Sequence, residues 1–157
     1  MIPKHLLSET ALHSRLLAEW QWLLGDSVVE ILAVTATGDA LLLLDTAEVG
    51  LLDVSAGELR VVAADEDDLQ LRLADAKNLD ELLLPSLVQA LQSGLGALPP
   101  DHCFSPLVPA TLGGKYHPTN YRVAAVRDHL NGFGKLQKQI VPLEPGTEIV
   151  PTAPKQL

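Results

Sequence analysis

The chain holds one cysteine, Cys103, among 157 residues. No intrachain disulfide can form, which excludes the small disulfide-stapled scaffolds and suits a reducing cytoplasm. Aromatic residues make up only 4% of a chain that is 47% apolar, so the expected core is leucine and valine. No stretch approaches the roughly 20 apolar residues of a membrane span. The opening "MIPKHLLSETALHSRLLAEW" is interrupted by Glu9 and Glu19 and does not read as a secretion signal. The expectation is a cytoplasmic protein with no membrane partner.

Basic clusters are missing as well. The net charge is −9, and residues 1–98 hold 16 of the 20 acids but only 5 of the 11 bases, a net of −11. Phosphate backbones are held by clustered Lys and Arg, so nucleic acid is not an expected partner. An acidic surface favours a basic partner, such as a nucleic-acid- or nucleotide-binding protein, and serves solubility equally well.

Catalytic and metal signatures are absent too. The segment "PATLGGKYHPTNYRV" (109–123) contains Gly113-Gly114-Lys115. A phosphate-binding loop needs glycines separated by four residues, then Lys and Ser or Thr. Here Pro109 and Tyr116 occupy the decisive positions. The two glycines are expected to serve positive φ or close packing. Asp101-His102-Cys103 raises nucleophilic chemistry, with His117 or His129 as a distant base. Adjacent residues rarely converge, and Cys103 beside Phe104 reads as a small buried apolar group. No C-x-x-C or H-E-x-x-H occurs, so neither a metal nor a cofactor is expected.

What the chain does have is regular patterning. Leu12, Leu16, Trp20 and Leu23 form a helical stripe, widened by Leu6, Leu7, Leu17 and Leu24 and stopped by Gly25. Four apolar runs follow, at 28–35, 40–45, 49–54 and 58–63. The joints "ATGD", "TAE" and "SAG" are too short for crossover helices, so the runs predict an antiparallel meander of about four strands. Some runs are apolar on both faces, which calls for a helix on one face and partial shielding of the other. "DEDD", Asp65 to Asp68, could suggest a metal site. Acids are also favoured at a helix N-terminus, and Asp65 reads as the N-cap of the helix that follows.

A second helical stretch covers 78–94, with Pro85 kinking it or starting a new helix. The segment from 95 to 114 is proline- and glycine-rich and reads as an irregular but apolar connection. A short strand at 121–126 and a helix at 127–140 complete the pattern. The expected fold is α+β: one domain over 1–142, with an N-terminal helix, the meander, and helices packed on the sheet. A proline-rich tail covers 143–157. Tyr116, His117 and Tyr121 are residue types that anchor protein interfaces, so the residues alone favour a binding module. An adaptor or an enzyme using Cys103 or a histidine stays open.

The order of motifs carries a resemblance. Thr37-Gly38-Asp39, Leu52-Asp53-Val54 and Gly57-Glu58-Leu59 are followed by an acidic helix start. Then come "LGALPPDHCFSPLVPATLGG" and "NYRVAAVRDHLNGFGKLQKQI". Over residues 18–142 this resembles the type VI secretion immunity proteins of the Tdi type, whose C-terminal domain is often found beside a GAD-like domain. Thr37 stands where that pattern has an aromatic, and Thr111 is inserted in its Pro-Ala-Leu-Gly-Gly step. The resemblance implies a non-catalytic protein that binds and neutralises a co-encoded effector toxin, a nuclease or nucleotide-acting enzyme, in the cytoplasm. The expected interface joins the carboxylates Asp39, Asp45, Glu48, Asp65, Glu66, Asp67 and Asp68, for steering, with Tyr116, His117, Asn120 and Tyr121, for contact.

Overall fold

The structure is a computed structural model and describes residues 2–143. The expected tail lies outside the described residues, apart from Leu143. The fold is α+β. Strands β1 (Val28–Val34), β2 (Ala40–Leu44), β3 (Val49–Asp53) and β4 (Glu58–Ala63) form one antiparallel sheet in the order β1-β2-β3-β4. Each lies within about a residue of the expected run, because joints this short permit only neighbouring antiparallel pairs.

Period two then sorts the leucines between two cores. Ala40, Leu42, Leu44 and Leu52 face Leu16, Leu17, Trp20 and Leu24 of the N-terminal segment and Val126 and Leu130 further on. Leu41, Val49 and Leu51 face the opposite way, among Leu69, Leu73, Leu83, Val88, Leu91, Phe104 and Tyr121. Helices therefore cover both faces of the sheet. Each fully buried leucine contributes about 1.5–3 kcal/mol.

The helices of the second face are α2 (Glu66–Leu73), α3 (Ala76–Leu83) and α4 (Pro85–Leu95). Asp65 is the N-cap of α2, accepting from the Asp68 amide at 2.7 Å, as the acidic run suggested. The Asp68 carboxylate reaches back to the Ala64 amide and takes Arg72 Nε, each at 2.8 Å. Those two partners hold its pKa below the usual carboxylate range. Pro85 occupies the first turn of α4, and Leu84 joins α3 to α4 at φ 51° and ψ 53°.

The N-terminal segment departs from expectation. The long helix is replaced by a 3₁₀ turn at Lys4–Leu6, an extended stretch, and a 3₁₀ helix at Ser14–Trp20 that runs into α1 (Gln21–Leu24). Leu7 bridges to Thr35, Ser8 N donates to Val34 O, and Ala36 N donates to Leu6 O. The sheet edge thus satisfies backbone groups that a helix would have satisfied internally. Leu12, counted in the helical stripe, is exposed.

A strand also emerges inside the expected irregular segment. β5 (His102–Pro106) pairs antiparallel with β6 (Tyr121–Ala125). It joins the main sheet's end through Phe104 N to Ala36 O, 2.7 Å. The chain closes with α5 (Val126–Ile140), tied to the N-terminal segment by Trp20 Nε1 to Leu130 O at 2.9 Å and Trp22 Nε1 to Gly134 O at 3.2 Å. No helix among the described residues is long and apolar enough to cross a membrane.

Candidate protein-binding surface

Three connections meet at one end of the sheet: the turn after β1, the turn after β3, and the loop 107–120 between β5 and β6. A buried polar seam from α5 binds the two turns. His129 Nε2 lies 2.9 Å from Gly38 O, and its Nδ1 lies 2.7 Å from Ser105 Oγ. A carbonyl only accepts, so Nε2 carries the proton and Nδ1 accepts from the Ser105 hydroxyl. Burial lowers the His129 pKa to about 4, keeping the ring neutral. Its edge meets Phe133 at a centroid distance of 5.2 Å. About two turns further along α5, Gln137 Nε2 donates to Val54 O and Ser55 O, both at 3.0 Å.

Asp39 locks the same two turns. Its Oδ1 accepts from the Val54 amide at 3.0 Å, and its own amide donates to Thr35 Oγ1 at 3.0 Å. The side chain is partly buried, and its pKa is raised to about 8. Burial is the larger cause and repulsion from Asp53 the next, while the Val54 amide and Arg60 offset part of it. Gly38, Asp39, Val54, Ser55, Ser105, His129 and Gln137 build this seam.

The loop above the seam is clamped. Asn120 Oδ1 accepts from Val108 N at 3.0 Å, and Nδ2 donates to Val108 O at 2.9 Å and Lys115 O at 3.0 Å. Ser55 takes the Ala110 amide on its hydroxyl at 2.8 Å and the Thr111 amide on its carbonyl at 3.3 Å. Gly113 sits at φ 86°, and a side chain at Gly114 would overlap the Val108 carbonyl. The amides of Gly113 and Gly114 donate to Ala110 O and Pro109 O, so they are committed within the loop and do not point at a ligand. These glycines serve backbone shape, one by φ and one by close approach.

The loop displays Leu107, Val108, Leu112 and Tyr116, the last 51% exposed. Burial of the rest of its ring raises the Tyr116 pKa to about 12, with Asp53 and Asp39 adding to the shift. His117 is exposed and caps the 3₁₀ turn Pro118–Asn120, accepting from the Thr119 amide at 3.3 Å. Beside Tyr116 lies a groove of about 420 Å³, walled on its other side by the α3–α4 joint. A second cleft of about 390 Å³ runs between the N-terminal helical segment and edge strand β1.

The expected interface residues do not gather in one place. Asp39 lies at the loop end of the sheet. Asp45, Glu48 and Asp65 to Asp68 lie at the opposite end, since β2 runs from one to the other and β3 pairs Val49 with Ala63. Five residues of β2 separate the two groups by roughly 17 Å. Tyr121 is 6% exposed and belongs to the core, where burial pushes its phenol pKa up. Asn120 is a clamp behind the surface. Cys103 is fully buried in β5, and burial, with Asp39 nearby, pushes its thiol up to about 12. Among the described residues no group of three or more His, Cys, Asp or Glu could hold a metal ion.

Ser55, Ser105 and Leu84 carried no sequence signal as functional positions. The Leu84-Pro85 dipeptide did mark a helix boundary, because a residue before proline avoids the right-handed helical region. No family model matches the chain. No curated protein matches it. Among solved structures it is similar to Atu4351 from Agrobacterium tumefaciens, with a TM-score of 0.50 at 14% identity. The likeness covers 75% of this chain and 62% of that one, and it is a likeness of fold.

Proposed function

We propose that the chain is an immunity protein, which binds a co-encoded antibacterial type VI secretion effector in the producer's cytoplasm and covers its active site. The effector is a nuclease or a nucleotide-acting enzyme. One observation carries the reading: a loop that exposes Leu107, Val108, Leu112 and Tyr116 while Asn120, Ser55 and Gly114 hold its backbone in place. An apolar surface ordered before binding loses little entropy on docking, which is what a tight inhibitor requires. The motif order described above supports the same reading.

Charge supports it too. An enzyme that handles phosphates presents a basic site, and this chain carries −11 over residues 1–98. The exposed acids Asp45, Asp65, Glu66 and Asp67, with Glu48 beside them, act at long range, raising the encounter rate at low salt. Tyr116 and His117 make contact. Such complexes bury roughly 1,600 Å² in total.

The test is co-expression. The product of the neighbouring gene is expressed in a bacterium with and without this chain, and survivors are counted. Rescue accompanied by a stable complex is expected. Toxicity without rescue, or no toxicity at all, sinks the pairing and leaves an adaptor role as the better reading.

A further inference from the structure

We infer that the free edge of β4 is a self-association surface, on which a second copy of this chain docks strand to strand, antiparallel and centred on Leu59. The inference does not rest on the toxin-binding reading and uses the sheet edge, not the loop 107–120.

The sheet has two edges, β1 and β4, and they differ. β1 is interrupted by two register shifts, and Leu6 to Ser8 occupy the edge at its end. Both devices discourage pairing with another strand. β4 runs in register with β3 from Glu58 to Val61, and its one shift comes beyond Val61. Antiparallel ladders alternate between hydrogen-bonded and non-bonded pairs. Leu44 N donates to Glu48 O where β2 turns into β3, so Gly50 and Leu52 face β2 while Leu51 and Asp53 face β4. Arg60 and Glu58 lie opposite Leu51 and Asp53 and take up those groups. Leu59 and Val61 therefore turn their N–H and C=O groups outward. Among the described residues no other backbone group bonds them. Such a row is a template for one more strand.

The side chains select the strand that fits. Glu58 and Arg60 are exposed and, two residues apart, stand on one face of the sheet. Glu58 lies directly opposite Asp53, a like-charge pair that disfavours the hairpin. Arg60 relieves neither acid by a close ion pair, since Arg72–Asp68 is the one such pair among the described residues. An antiparallel copy centred on Leu59 brings its Arg60 opposite Glu58 and its Glu58 opposite Arg60. Two-fold symmetry makes both cross-strand pairs attractive at once. Outward groups can also meet with the centre at Arg60 or at Val61. The first opposes two arginines, and the second leaves Arg60 facing Val62.

An apolar contact favours the same register. Val61 is 54% exposed and shares the face of Leu59. Centring on Leu59 sets it opposite Gly57 of the second copy. Val141, just past α5, lies over that glycine: a Cβ on Gly57 would fall 2.7 Å from Val141 Cγ2. Val141 is itself 40% exposed. The two valines, open in a single chain, cover one another in the pair. Strand pairing of this length makes a small interface, so the dimer is weak and concentration-dependent.

The test is sedimentation equilibrium of the full chain, which should pass from monomer to dimer between about 10 μM and about 1 mM. Glu58→Arg and Arg60→Glu each turn attractive pairs into repulsive ones and should weaken self-association about tenfold or more. The double variant Glu58→Arg/Arg60→Glu exchanges the signs and should associate within about threefold of the unaltered chain. Hydrogen exchange reads the same edge without any substitution. The amides of Leu59 and Val61 should slow as concentration rises, while that of Arg60, bonded to β3, stays slow throughout. Rescue by the double variant, with protection at those two amides, supports the inference. A monomer at every concentration overturns it. So does a dimer that the single reversals leave intact, a double variant that fails to restore what they lose, or a dimer in which Leu59 and Val61 stay unprotected.

Discussion

Replacing Asp39 with asparagine should remove a loss of stability that the unaltered chain suffers between pH 6.5 and 8. In the folded chain Asp39 titrates at about 8 against a reference of 3.8. Between those values the folded state holds a proton that the unfolded state has released. Its stabilising contribution is therefore complete below about pH 4 and is lost as pH rises to about 8, at up to roughly 1.4 kcal/mol per pH unit. His129 has the opposite sign. It titrates at about 4 when folded and 6.5 as a reference, so its contribution is present above 6.5 and lost as pH falls towards 4. The two slopes offset one another from pH 4 to 6.5. Above 6.5 Asp39 acts alone, and 1.5 pH units correspond to about 2 kcal/mol as an upper figure, since the side chain keeps some contact with water. Asparagine still offers an oxygen to the Val54 amide and brings no charge near Asp53. Urea denaturation followed by Trp20 and Trp22 fluorescence at pH 5, 6.5 and 8 measures the difference. Asp39→Asn should gain up to about 2 kcal/mol on the unaltered chain between pH 6.5 and 8, and should show the uncovered rise due to His129 below 6.5. Parallel pH profiles for the two proteins would refute the reasoning.

Gly38→Ala should cost about 2–4 kcal/mol, because φ is 85° and the added carbon would overlap the His129 ring; a fall in melting temperature of only a degree or two contradicts the seam described here. Asp65→Ala should cost about 1 kcal/mol by freeing the Asp68 amide, read by the same denaturation assay. Asn120→Ala removes three hydrogen bonds that clamp the loop. It should speed hydrogen exchange at Val108 and weaken partner binding, while exchange in β2 and β3 stays slow; unchanged exchange at Val108 would show that the clamp lies elsewhere.

The sheet was legible because its joints leave no alternative to neighbouring antiparallel strands, and "DEDD" was legible because capping acts within one turn. The path of Leu6 to Ser8 was not. An apolar spacing fits a helix equally well when the chain instead pairs with a sheet edge, and only the free edge at Val34 to Ala36 decides between them. β5 was hidden because "HCFSP" is short, ends in proline and shows no alternation, being covered on both sides. The spread of the expected interface residues was hidden for a geometric reason. Asp39 and Asp45 are close in sequence, yet β2 carries them to opposite ends of the sheet. Tyr121 looked like a contact residue by type, but nothing in a five-residue strand fixes which face it takes.

The central claim is neutralisation by stoichiometric binding, and titrating the purified neighbouring-gene product with this chain tests it most directly. The effector's activity should fall linearly and vanish at one equivalent, with an association rate that drops as salt rises. Full protection at a small fraction of one equivalent would mean that the chain acts catalytically, and undiminished activity at several equivalents would mean that it does not inhibit at all.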